Sequence, residues 1–218
     1  MEEGWLSGYI QDYDGQALTL IVPFSDSEYI KTHSVTECSV RVEDGRRISA
    51  VQRRKVYALI RDIADWTGYE PQELKELMKY DFISQQEDGT QYFSLSDADM
   101  TTARNFITHL IDFCVTNAIP CKVSLLEQCE DIEKYLYACV ANRRCAICGQ
   151  KADIHEVERV GMGRDRRKMH HLGQLVEPLC RQHHQEVDQM GQKSFDEKYH
   201  LQGIRLDEQL CKILKWRK

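Results

Sequence analysis

Proline and glycine are scarce, four and twelve in 218 residues, and no glycine-, serine- or proline-rich tether joins the two halves of the chain. That scarcity excludes a collagen-like or low-complexity chain and predicts parts that do not swing freely. No apolar run is long enough to span a membrane, and no charged-then-apolar segment opens the chain. Neither a transmembrane anchor nor a secretory signal is therefore expected. Of the nine cysteines, Cys38, Cys114, Cys121, Cys129, Cys139 and Cys211 show no framework spacing. Their scatter argues against a secreted disulfide scaffold and for a reducing cytosol. Hydrophobic residues make up 42%, enough to bury the core of one large or two small domains.

Negative charge is unevenly spread. The net charge is −6, yet residues 141–218 carry 16 Lys and Arg against 11 Asp and Glu, while residues 1–140 carry 13 against 24. Six of the eight histidines also lie in the later part. The partition predicts two domains, the basic one suited to nucleic acid and the acidic one unsuited to binding it over its whole surface.

Residues 145–188 hold the chemistry. Cys145 and Cys148 form one pair, Cys180 and His183 another, each with two residues between. That spacing turns both side chains of a pair to one point, and two pairs close a tetrahedral structural zinc site. A second polar set, His155, His184 and Asp188, is not needed by zinc. With a helix starting near Cys180, His184 and Asp188 fall one turn apart on one face. The set could hold a divalent cation with open positions, as phosphoryl-transfer chemistry requires, or could be surface polarity on a module that only binds. The Gly-punctuated run GMGRDRRKMHH (161–171) places Arg164, Arg166, Arg167 and Lys168 between these ligands, positioned to grip phosphates.

Upstream, residues 5–13 and 16–24 read as strands joined at Asp14 and Gly15, and residues 37–43 alternate as a third strand. A helix is expected over 49–67, capped by Gly68, with a basic entrance of Arg46, Arg47, Arg53, Arg54 and Lys55. That entrance is either a phosphate-contacting strip or a solvated face. Pro71 opens a helix over 72–78, and residues 85–91, with Asp88 and Gly89, form a loop or a hairpin tip. Residues 92–95 suggest a short strand, and Ser96 or Asp97 caps a long helix whose Ala103, Phe106, Ile107, Leu110, Ile111 and Cys114 make one apolar stripe, core before dimer seam. His109 lies off that stripe, at the surface. One helix over 125–142 joins the halves, and two short helices lie within 193–218, the second starting near Asp207.

The text from CAIC through IHE to PLCRQHH resembles the HNH endonuclease family, in its form with zinc knuckles around a ββα-metal finger. The resemblance implies zinc on Cys145, Cys148, Cys180 and His183, catalytic Mg²⁺ or Mn²⁺ on His155 and His184, and Asp188 in place of a last His. Glu156 stands at the position of the His that activates water, with His170 or His171 as substitutes. The family's Asn position falls near Gln174 and Leu175, neither of which is Asn. Residues 46–60, 94–113 and 117–120 resemble the Orf (NinB) recombination proteins of phages, over roughly 35–121. That likeness implies a homodimer that binds single-stranded DNA and single-strand binding protein.

Together these readings predict an α+β chain: a small antiparallel sheet with helices in an Orf-like domain (1–122), a connecting helix (123–142) and an HNH-like zinc domain (143–218). The expected protein acts in the cytoplasm of a bacterial host on single-stranded, gapped or branched recombination intermediates. It cuts them, or it mediates recombination through a zinc domain that only binds DNA.

Overall fold

The computed structural model describes residues 6, 8–34, 36, 38, 40, 45–86, 90–157 and 171–216. Most of the strand expected at 37–43 (all but residues 38 and 40), the loop residues Asp88 and Gly89, His170, and the basic residues Arg164, Arg166, Arg167 and Lys168 lie outside the described residues. The chain divides into two compact units, Met1–Val42 and Glu43–Lys218.

The first unit holds a hairpin and a helix. Strands β1 (Tyr9–Tyr13) and β2 (Leu18–Ile21) pair antiparallel. The Asp14 carboxylate accepts from the Gln16 and Ala17 amides at 2.8 Å, which closes the turn with Gly15 at φ 94°. Helix α1 (Ser27–His33), not foreseen from the sequence, is capped by Asp26.

The second unit begins with α2 (Ala50–Thr67). Ser49 and Gln52 form a capping box at its start, and Gly68 at φ 81° ends it in the left-handed conformation that costs glycine nothing. Helix α3 (Pro71–Ser84) runs a turn and a half beyond expectation, its Leu74, Met78 and Phe82 buried. No strand forms at 92–95: the chain turns at 95–97, where Ala98 N–H bonds Ser94 O at 2.9 Å. Helix α4 (Met100–Asn117) starts later than expected because the Asp99 carboxylate, not the Ser96 hydroxyl or the Asp97 carboxylate, accepts from Thr102 N–H. His109 is half-buried, its ring against Phe82 and Phe106, and burial lowers its pKa.

The helix expected over 125–142 is two helices, α5 (Leu125–Gln128) and α6 (Ile132–Ala141). Asp131 caps α6 through Lys134 N–H, and such a cap needs a non-helical residue between the two helices. A three-stranded antiparallel sheet follows, in the order β3 (Asp153–Glu156), β4 (Leu175–Leu179), β5 (Ile204–Arg205). Pro178 is tolerated in the middle strand because β5 pairs only with Leu175 and Val176, while Pro178 O accepts from Ala146 N–H. Helices α7 (Arg181–Met190), α8 (Gln192–Tyr199) and α9 (Glu208–Leu214) complete the unit, α9 capped by Asp207 as expected.

One apolar core runs through α2, α3, α4 and α6 and on to Leu179, Val187, Phe195 and Leu201. The division expected at 123–142 crosses that core, to which α6 contributes Tyr135, Leu136 and Cys139. A second cluster packs Val176 of β4 against Val140, Leu206, Leu210, Cys211 and Leu214, with Ile154 beside it. The sheet therefore has one face toward α7 and α8 and the other toward α9. Among the described residues no helix is long and apolar enough to cross a membrane.

Candidate metal centre

The zinc knuckle is a local consequence of tight turns. Gly149 N–H bonds Cys145 O at 2.8 Å and Cys145 N–H bonds Gln150 O at 2.7 Å, so residues 145–150 fold back and aim both sulfurs one way. The second pair sits at the start of α7, where Cys180 is the N-cap and His183 lies in the first turn. The four ligand atoms come within 4.8 Å of one another. Cys148 Sγ is 3.7 Å from Cys180 Sγ, and His183 Nδ1 is 3.4 Å from Cys145 Sγ and 3.2 Å from Cys180 Sγ. A tetrahedral zinc with its usual bond lengths needs sulfur–sulfur edges of about 3.8 Å and sulfur–nitrogen edges of about 3.6 Å. Donor set and spacing both fit that ion, and all four cysteine and histidine positions expected from the sequence are brought together.

His155 and His184 meet next to this centre. His155 projects from β3 and His184 from α7, with His155 Nδ1 3.1 Å from His184 Nε2. The rings stand nearly perpendicular, their centroids 4.6 Å apart. The other nitrogen of each ring faces an oxygen. His155 Nε2 lies 3.1 Å from Gln192 Oε1, and His184 Nδ1 lies 3.4 Å from a carboxylate oxygen of Asp188. Protons placed toward those acceptors leave two lone pairs facing each other, an arrangement that a positive charge relieves. Two nitrogens bound side by side to an octahedral cation lie about 3.0 Å apart.

Asp188, expected beside His155 and His184 as a third ligand, lies against His184. One turn on from His184, it faces Nδ1, the nitrogen turned away from His155. Among the described residues only Cys145, Cys148, Cys180 and His183 form a set of three or more such groups at ligand distance.

Glu156, expected at the base position, takes the other face of β3. Adjacent residues of a strand point to opposite faces. His155 is paired with Glu177 and Glu156 with Val176, so Glu156 lies on the face that carries the α9 cluster. His171, the described substitute, bonds Gln174 Oε1 through Nδ1 at 3.1 Å and packs on Trp216.

Three groups that sequence reasoning missed complete the His155 side. Glu177 is fully buried, and among the described residues its Oε1 has no hydrogen-bond partner. Burial pushes its pKa up to about 7, against the lowering effect of a hydrogen bond from Gln192. Gln192 Nε2 donates to Glu177 Oε2 at 3.1 Å and to Asp196 Oδ1 at 2.6 Å. No spacing rule links β4 to α8, so only the fold reveals this group.

The basic entrance of α2 is mostly engaged. Arg47 donates to Asp97 O at 3.0 Å, Arg53 to Ser96 O at 2.9 Å, and Lys55 pairs with Glu130 at 2.8 Å. Arg46 O accepts from Met100 N–H, tying the entrance to α4. Arg54 is exposed on the outer face of α2, where a shallow groove is lined by Ala50, Arg53, Arg54, Tyr57, Ala58 and Arg61.

Compared with models of protein families, residues 23–217 match the family described as "Putative HNHc nuclease". No curated protein and no solved structure matches the chain.

Proposed function

The chain belongs to this HNHc nuclease family, and on that premise we propose that it is a metal-dependent endonuclease acting on DNA recombination intermediates. The observation that carries the reading is the His155–His184 contact of 3.1 Å, with the outer nitrogens of both rings turned to acceptors. In this reading Cys145, Cys148, Cys180 and His183 hold a zinc that fixes the start of α7 against the knuckle. His155 and His184 would hold Mg²⁺ or Mn²⁺, and Asp188 orients His184. A divalent ion bound there supplies charge to stabilise the phosphate and the leaving oxygen.

One basic groove and one basic stretch of sequence would bring the DNA to the site. Arg54 and Arg61 on α2, with Tyr57 between them as a stacking platform, suit a single-stranded backbone. Arg164, Arg166, Arg167 and Lys168 supply charge between the ligand-bearing segments. The likeness of residues 35–121 to the Orf proteins supports a phage recombination role, with single-strand binding protein as partner, a homodimer as the working form and the bacterial cytoplasm as the place. A second reading, a mediator that binds without cutting, is favoured by one observation: Glu156 does not share the His155 face.

The two readings separate on single-stranded, gapped and branched DNA incubated with Mg²⁺, Mn²⁺ or EDTA. Cutting that needs the ion supports the nuclease. DNA bound but intact under every ion contradicts it and leaves the mediator.

A further inference from the structure

Gln192 is the first residue of α8, and its half-buried amide lies between His155 and two carboxylates. An amide has one donating and one accepting end. Nε2 donates to Glu177 Oε2 and, at 2.6 Å, to Asp196 Oδ1. Turned round, the amide would set its oxygen against both carboxylates. Its orientation is therefore determined, and Oε1 is left to accept from His155 Nε2 at 3.1 Å. His155 must then carry its proton on Nε2, which frees the Nδ1 lone pair that faces His184.

We propose that Gln192 is the positioning residue that selects this tautomer of His155, with Glu177 and Asp196 holding its amide in the required sense. The inference rests on the reading of His155 and His184 as a cation site. It also accounts for Glu177. A fully buried carboxyl group with an oxygen that has no partner among the described residues is a poor way to fill a core position, which an apolar side chain would fill better. Holding the amide of Gln192 gives that carboxylate a use. Partners of this kind, one bond removed from the ligands, typically change metal affinity 10–100-fold when they are lost.

The test uses the full-length, zinc-loaded protein in two measurements. Nitrogen NMR of the histidines reads the tautomer of His155 without added cation, and Mn²⁺ titration followed by paramagnetic resonance reads affinity. The wild type is expected to show the Nε2–H form. Gln192→Leu is expected to lose that preference and to bind Mn²⁺ roughly 10–100-fold more weakly, with zinc content unchanged. A thermal midpoint and zinc content equal to those of the wild type guard against a merely misfolded leucine variant, and a wild type in the Nδ1–H form overturns the inference by itself. A Gln192→Leu protein with the wild-type tautomer and affinity overturns the inference. A wild type that binds no Mn²⁺, or a His184→Ala variant that binds it equally well, overturns the cation-site reading instead. The NMR result then still decides the part played by Gln192.

Discussion

One peptide bond separates His155 from Glu156, yet β3 turns them to opposite faces of the sheet. Glu156→Ala is accordingly predicted to leave metal-dependent cleavage within about threefold of wild type, a difference worth less than ~1 kcal/mol. A large loss in that variant would return Glu156 to the site. Glu177 leads to a prediction about pH. Its folded pKa of about 7 lies above the ordinary 4.5, so folding favours the protonated form. Its contribution therefore falls as pH rises from 4.5 to about 7 and is level above that. Glu177→Gln removes this dependence. Its stability relative to wild type should rise by up to about 3 kcal/mol between acid and mildly alkaline solution, measured by denaturant unfolding without added divalent cation. A gap that does not change with pH would contradict the buried, raised carboxyl. At this scale the zinc ligands were legible, because Cys145 with Cys148 and Cys180 with His183 are local pairs. Glu177 and Gln192 were not, because strand register and a helix two elements away bring them to His155.

Among the elements, those with local punctuation were the readable ones. Ser49 and Gly68 bracket α2, and Asp207 starts α9. Ser49→Ala is predicted to cost about 1 kcal/mol, seen as a lower thermal midpoint. An unchanged midpoint would mean that the capping box adds nothing to stability. Where several caps compete, the sequence was ambiguous. Ser96, Asp97 and Asp99 all precede α4, and pairing of residues 46–48 with 98–100 selects Asp99. The charge run at 46–55 was visible but its use was not, since Arg47 and Arg53 are spent on carbonyls of the turn before α4. Arg53→Ala should therefore lower stability. Arg54→Ala and Arg61→Ala should leave stability unchanged, weaken DNA binding, and each reduce the salt slope of log affinity by about 1. Equal effects of all three on binding alone would contradict the division of roles.

For the second unit as a whole, the charge asymmetry of the sequence suggested a boundary near residue 122. The core beneath runs from α2 to α8 without a break. Phe195 is fully buried in that core beside the knuckle helix. Phe195→Ala is predicted to cost about 3–5 kcal/mol and to lower the midpoint of one shared unfolding transition. A variant with two separated transitions would show that the zinc-bearing part melts by itself.

The central claim is that His155 and His184 form a cation site distinct from the zinc ligands and needed for cutting DNA. Single-turnover cleavage of gapped DNA in Mg²⁺, by wild type and His184→Ala with zinc content measured on the same samples, tests it most directly. The account predicts cutting by the wild type, abolished by EDTA and reduced more than about a hundredfold in His184→Ala with zinc unchanged. Equal cutting by the two proteins would contradict it.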